Sequence, residues 1–290
     1  MSAGGRGVAA ARHALRRWYR PRRHAYAWRR SRDPYAILVS EVMLQQTQAA
    51  RVEPIFEAFM ARFPTVRALA EAPRADVVRA WEGLGYHRRA VALHEAARTI
   101  MADHGGKVPR DAVALRALPG VGPYTASAVA SIAFGAHLAA IDTNVRRIVA
   151  RSRFGSEPDE VPPAELAAEA QASCDPADPG GWNQALMDLG REVCRTIPRC
   201  DVCPLEGLCV FRAAGRVGRP SSRRQPAFEG SLRQVRGAVL AVLRREEGAT
   251  VARLVRDSGF ADDRVREALD GLTRDGVVEA GPRGTYRLPR

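Results

Sequence analysis

Apolar residues recur every three to four positions through most of this chain, and the interruptions fall at residues that start or stop helices. Asp33-Pro34 pairs an N-capping side chain with a proline in the first turn, and residues 35–47 then carry apolar positions at helical spacing. The same spacing predicts helices over about 51–61, over 74–82 up to Gly83, and over 88–103 up to Gly105-Gly106. Others are predicted over 111–118, opened by Asp111, over 123–134, closed by Gly135, over 143–153 with Asp142 as N-cap, and over 183–194. No sustained period-two alternation occurs before the far end, so the body of the chain reads as all-α. Residues 212–230 (RAAGRVGRPSSRRQPAFEG) hold much Gly, Pro, Ser and Arg and little apolar content, as a linker does. Beyond it helical spacing returns at 232–245 and 262–275. VVEAGPRGTYRL then closes the chain with two strand-like runs around a Pro/Gly turn. Short helices followed by a hairpin predict a small winged-helix-like module over 231–290.

At 290 residues, 46% hydrophobic and 27% charged, the chain has ordinary globular composition and enough mass to bury a core. Charge changes the picture. The 45 basic residues against 32 acidic ones give +13, Lys107 is the only lysine, and ten arginines precede the first acid, Asp33. A basic chain is expected to meet a polyanion, most commonly nucleic acid. The arginines of the N-terminal segment and of the linker read equally as non-specific phosphate contacts or as solvated tails. No apolar run reaches a membrane span and no apolar stretch follows the basic N-terminus. The expectation is a soluble cytoplasmic chain, associated with the nucleoid and without a membrane partner.

Four segments carry candidate chemistry. Leu118-Pro119-Gly120-Val121-Gly122 lies between two predicted helices. Its glycines allow a tight turn that brings amide N–H groups close to an anion, the way a hairpin grips a DNA phosphate without reading sequence; a plain turn between core helices fits as well. Asp142, about twenty residues on, is either an N-cap alone or a carboxylate facing a cationic transition state. Glu41 interrupts the apolar run Ile37, Leu38, Val39, Val42, Met43, Leu44. A carboxylate there is more often exposed, but if buried its raised pKa would make it a general acid. Cys194, Cys200, Cys203 and Cys209 crowd into sixteen residues and can wrap one metal centre, zinc or iron–sulfur; Cys174 stands apart as an ordinary buried thiol.

Together and in this order, these segments resemble the MutY adenine glycosylases, relatives of endonuclease III in the helix-hairpin-helix superfamily. The resemblance covers roughly residues 15–212: SEVMLQQT at 40–47, GLGY at 83–86, LPGVGPYTA at 118–126, DTNV at 142–145, NQALMDLG at 183–190 and the cysteine loop. It implies a helix-hairpin-helix glycosylase fold, with a six-helix barrel domain over 34–138 and an iron–sulfur cluster domain over 139–211. The Arg-rich segment 1–33 would join the cluster domain, and 212–230 would link to the winged-helix-like module. It also implies that Glu41 protonates adenine, that Asp142 stabilises the oxocarbenium-like sugar, and that Tyr124 and Asn144 support them. Gln45, Gln46, Thr47 and Tyr86, with the hairpin residues Leu118, Gly120, Val121 and Gly122, would meet double-stranded DNA. The four cysteines would hold a [4Fe–4S] cluster.

The implied activity is monofunctional removal of adenine opposite 8-oxoguanine or guanine, by a monomer. Related bifunctional enzymes use a lysine where this chain has Tyr124. Three features depart from the family. Asp-Thr-Asn replaces Asp-Gly-Asn, the first cysteine gap is five residues where six is common, and the winged-helix-like tail stands where a Nudix-like domain is usual. Two alternatives remain in view: a thymine or uracil mismatch glycosylase of the same fold, and a non-catalytic iron–sulfur regulator.

Overall fold

The structure, a computed structural model, describes residues 3–23, 26–219 and 227–289, with side chains from residue 7 onward. In chain order its helices begin with α1 (Ala3–Tyr19), α2 (Pro34–Leu44), α3 (Ala49–Arg62), α4 (Val66–Glu71), α5 (Arg74–Ala80) and α6 (Arg88–Asp103). They continue with α7 (Ala112–Ala117), α8 (Pro123–Phe134), α9 (Thr143–Val149), α10 (Pro163–Ser173), α11 (Pro179–Glu192) and α12 (Val210–Ala213). After the linker come α13 (Leu232–Arg245), β1 (Ala249–Thr250), α14 (Val251–Ser258), α15 (Asp262–Arg274), β2 (Glu279–Ala280) and β3 (Thr285–Arg287). None of these helices is long and apolar enough to cross a membrane.

The chain divides into two compact units. The first takes Met1–Glu41, Pro109–Ala117 and Val121–Ser222; the second takes Val42–Val108, Leu118–Gly120 and Arg223–Arg290. The first unit is built around α11, which packs on α1, α8 and α9. Gly180 permits one of these approaches, since a Cβ there would stand 2.8 Å from Cα of Ile132 on α8. Asp178 caps α11 by accepting from the Gly181 amide at 3.0 Å, which starts the helix four residues earlier than its apolar spacing predicts. The core gathers Leu15, Val145, Ile148, Leu166, Trp182, Leu186 and Leu189, with Cys174 fully buried among them.

Sequence spacing predicts no helix before Asp33, yet α1 forms and buries Leu15 and Tyr19. Two of its arginines bond within the protein. Arg12 donates to the carbonyls of Ala172 (2.8 Å), Ser173 (3.0 Å) and Cys174 (2.7 Å), satisfying the open C-terminus of α10. Arg16 pairs with Asp175 at 2.7 Å. The start of the predicted linker is also anchored, because Arg216 reaches both Gly155 O (2.8 Å) and Glu160 (2.9 Å). Residues 220–226, its middle, lie outside the described residues.

α9 is shorter than predicted. It gives way to a π-helical turn over Ala150–Phe154 that ends at Gly155, whose φ of 66° is easy only for glycine.

In the second unit α6 packs against α4 and α5, and the C-terminal module folds as three helices with a three-stranded antiparallel sheet in the order β1-β3-β2. Ala249 pairs with Tyr286 and Glu279 with Arg287, and Arg283 and Gly284 turn the hairpin with positive φ. The element order is helix, strand, helix, helix, strand, strand. The module's core (Val239, Leu240, Leu243, Leu254, Leu269, Leu272) also takes in Val78 of α5.

Candidate active site

Every residue from 35 to 43 is buried, so α2 offers no polar face and Glu41 is carried inside, 4% exposed. Burial pushes its carboxyl up to about 7, with Asp142 adding to the rise; the Tyr124 hydroxyl and the Arg29 charge oppose it. Tyr124, in the first turn of α8, donates to Glu41 Oε2 at 3.0 Å and lies 3.3 Å from Met187 Sδ. A phenol has one proton to give. With Glu41 ionised the proton goes to the carboxylate; with Glu41 protonated the carboxyl can donate to the phenol oxygen, and Met187 can accept instead. The contact thus survives both protonation states.

Asp142 is the N-cap of α9, and both of its oxygens are committed. Oδ1 accepts from the Val145 amide at 2.7 Å and Oδ2 from Asn144 Nδ2 at 2.8 Å. Asn144 Oδ1 in turn accepts from Arg147 (2.8 Å), whose guanidinium also reaches the carbonyls of Gly190 (2.9 Å) and Cys194 (2.7 Å). Capping and chemistry are therefore compatible roles for Asp142. Burial raises the Tyr124 hydroxyl well above its ordinary value, and the charges of Glu41 and Asp142 raise it further.

Gly190 is why α11 can run this close to Asn144. A Cβ at Gly190 would stand 2.4 Å from the Asn144 Cβ, a distance only displacement can relieve. Gly190→Ala is expected to cost about 1–3 kcal/mol of stability, measured by denaturant unfolding; an unchanged midpoint would mean the helices part freely.

Sequence reasoning assigned no role to Arg29, Met187 or Asp188. Arg29 and Asp188 form a buried bidentate pair, 6% and 3% exposed, with the second contact at 2.9 Å, and Arg29 lies over the rings of Tyr19 and Tyr26. Nothing in the sequence separates Arg29 from its nine arginine neighbours. Asp188 and Met187 did lie inside a recognised string, NQALMDLG.

The second unit holds Gln45, Gln46, Thr47, Tyr86, Leu118 and Gly120, and the first holds Val121 and Gly122. Gln46 (φ 57°) and Tyr86 (φ 46°) are exposed and both left-handed, a conformation that costs a non-glycine residue on the order of 1–3 kcal/mol unless its surroundings hold it. Arg89 supplies the hold. Its guanidinium donates to the carbonyls of Val42, Met43, Gln45, Leu84 and Gly85 and to Thr47 Oγ1, all within 3.2 Å, beneath the Tyr86 ring. One half-buried cation thereby ties the Gln45–Thr47 turn to the GLGY loop. Gln45 Nε2 also reaches Gly120 O at 3.5 Å. Gly120 has φ 75° and would put a Cβ 2.7 Å from that of Ala92, so only glycine fits. Leu118 and Val121 are buried.

The thiols of Cys194, Cys200, Cys203 and Cys209 line one cavity and none is in a disulfide. Burial raises Cys194, Cys200 and Cys203, the last to about 12, and each is raised further by neighbouring cysteines, so loading a metal group there releases protons. Arg151 Nη1 lies 3.8 Å from Cys194 Sγ. Among the described residues no three Cys, His, Asp or Glu form a group set to hold a single ion. Four soft donors around a space, with no bridge between them, fit a thiolate-ligated cluster in kind.

Residues 39–174 match the HhH-GPD superfamily of base excision DNA repair proteins, and this chain is a member of that class. It is 42% identical over 277 residues to the adenine DNA glycosylase of Mycolicibacterium smegmatis, covering 93% of each chain, and 42% identical over 236 residues to that of Homo sapiens, covering 77% of this chain and 43% of the human one. The chain belongs to the adenine DNA glycosylase (MutY) family. Among solved structures it is similar to a thermostable thymine-DNA glycosylase (29% identity, TM-score 0.68), which it covers completely with 73% of its own length.

Proposed function

We propose that this chain is a monofunctional glycosylase that acts as a monomer on double-stranded DNA and hydrolyses the N-glycosidic bond of adenine mispaired with 8-oxoguanine or guanine. The observation that carries this reading is a buried carboxyl at Glu41, held near half-protonation at neutral pH, in the field of a second carboxylate at Asp142. Adenine departs poorly as an anion. A proton delivered by Glu41 to the base makes it a neutral leaving group, and the carboxylate left behind can then take a proton from the attacking water. Asp142, fixed by the Val145 amide and Asn144, faces the positive charge that develops on the sugar as the bond lengthens. Tyr124 stays bound to Glu41 through both states and keeps the acid aimed. A tyrosine at this position, in a chain whose only lysine is Lys107, supports hydrolysis without a Schiff base.

Gln46 and Tyr86 are the side chains we assign to the duplex at the mispair, filling the space of the extruded base. Gln45 and Thr47 support them, and the backbone of the 118–122 hairpin takes a phosphate. Cys194, Cys200, Cys203 and Cys209 would hold a [4Fe–4S] group. When bound, that group ties the cysteine loop together and supplies no proton or nucleophile to the hydrolysis. Purified protein is expected to contain about four irons per chain and to absorb in the thiolate-to-iron charge-transfer region; stoichiometric zinc without iron would replace this assignment.

Base release from duplexes bearing 8-oxoguanine:A, G:A, G:T and G:U tests the substrate. Release of adenine from the first two is expected. Release confined to thymine or uracil would make this chain functionally like its thymine-DNA glycosylase neighbour, and tight binding with no release from any duplex would make it a regulator.

A further inference from the structure

The C-terminal module has no part in the chemistry above, yet it is not a free appendage. It sits on α5 and α6, the two helices from which the GLGY loop is strung. Val78 of α5 is buried in the module's core, the Ala75 amide donates to Pro289 O at 2.8 Å, and a Cβ on Gly276 would lie 3.6 Å from Val91 of α6. The decisive contact is polar. Arg244, in the last turn of α13 and 10% exposed, donates through Nη1 to Glu82 Oε1 (2.9 Å) and through Nη2 to His87 Nε2 (2.8 Å).

Glu82 and His87 are the two ends of the loop. Between them Gly83, Gly85 and Tyr86 all take positive φ, and Trp81 Nε1 binds Gly85 O at 3.2 Å. A loop with this much left-handed backbone keeps its shape only if something outside it fixes the ends. Arg89 grips the inner carbonyls; Arg244 spans the outer two residues. Because arginine can only donate, His87 Nε2 must accept, so its ring is neutral here. Burial and the charges of Arg244, Arg236 and Arg89 keep it so, lowering its pKa to about 3. The Arg244 contact therefore holds across the working pH range.

We infer that the C-terminal module is a brace for the Tyr86 loop: through Arg244 it pins Glu82 and His87 and so sets the pose in which Tyr86 meets a mispaired duplex. The inference rests on the proposed role of Tyr86 at the mispair. It makes Arg244 a positioning residue for recognition, acting from a module that need not itself touch the lesion.

A double-mutant cycle in the full-length protein tests it. Affinity is measured for a duplex carrying 8-oxoguanine opposite a non-hydrolysable 2′-fluoro analogue of deoxyadenosine, for wild type, Arg244→Met, Tyr86→Ala and the double variant. Arg244→Met is expected to weaken binding about tenfold in the wild-type background and less than about twofold once Tyr86 is gone, because the brace acts only through that side chain. His87→Leu removes the same contact from the loop side, leaves the module's core intact, and is expected to show the same coupling. Equal losses in both backgrounds, or no loss with folded His87→Leu, would overturn the brace. Should Arg244→Met fail to fold, the His87 cycle decides alone. Since the readout is binding, it stands apart from the substrate reading: a wild-type chain that binds this duplex but releases no adenine from its cleavable counterpart fails that reading without touching this one.

Discussion

Replacing Glu41 with glutamine is expected to stop base release and, above neutral pH, to make the protein more stable. The activity loss follows from removing the buried acid that accepts from Tyr124, a contribution of roughly 10²–10⁴ in rate for a general acid. The stability gain follows from linkage. Glu41 takes up its proton at about 7 in the fold against an ordinary value of 4.5. Below 4.5 both states are protonated and the site costs nothing. Between the two values the unfolded chain ionises while the native one keeps its proton, so stability falls as pH rises. Above 7 the loss is complete, about 3 kcal/mol from a shift of this size. Glutamine keeps the shape and never ionises. Melting curves of the two proteins should therefore coincide near pH 4.5 and separate by several degrees at pH 8, with the variant higher. The wild-type rate should fall about tenfold per unit above pH 7. Curves that stay parallel from pH 4.5 to 8 would show that folding does not raise the Glu41 pKa, and the proposed acid would be wrong.

The buried Arg29–Asp188 pair should give the largest stability loss. Arg29→Met strips the main partner from a carboxylate 3% exposed, which elsewhere costs 3–5 kcal/mol. Arg191 also reaches Asp188 at 3.1 Å, so a loss of about 3 kcal/mol is expected in denaturant unfolding. The pair also tunes the acid, because Arg29 is the cation that holds Glu41 down. Arg29→Met should move the alkaline fall in rate to higher pH. Asp188→Asn leaves Arg29 without its main anion and should move the fall to lower pH. Opposite shifts from the two halves of one ion pair are an electrostatic signature that loosened packing does not produce. Shifts in the same direction would remove Arg29 from the acid's environment.

Much of the fold is legible in local chemistry. The stops at Gly83, Gly105-Gly106 and Gly135 are positive-φ glycines, and Asp142 and Asp111 cap helices as their positions imply. What is not legible depends on distant partners. α1 looks like an arginine-rich tail because its buried stripe is short of large side chains and its arginines bond to residues some 160 positions away. Glu41 illustrates a different limit. Spacing alone places a lone carboxylate on an exposed face, but α2 is apolar all round, and a helix of that kind has no exposed face to give. Arg89 and Arg147 escaped notice because their partners are mostly carbonyls, which every sequence contains and none advertises.

Arg147 has one more consequence. The guanidinium that steadies Asn144, and through it Asp142, is itself held by the backbone carbonyls of Gly190 and Cys194, where α11 runs out into the cysteine loop. A disturbance of that loop need not unfold anything to be felt: a shift of the Cys194 carbonyl alone would turn the arginine and leave Asp142, in the role proposed for it, aimed slightly wrong. Damage to the loop would then surface as sluggish catalysis in a molecule that still folds and still finds its DNA.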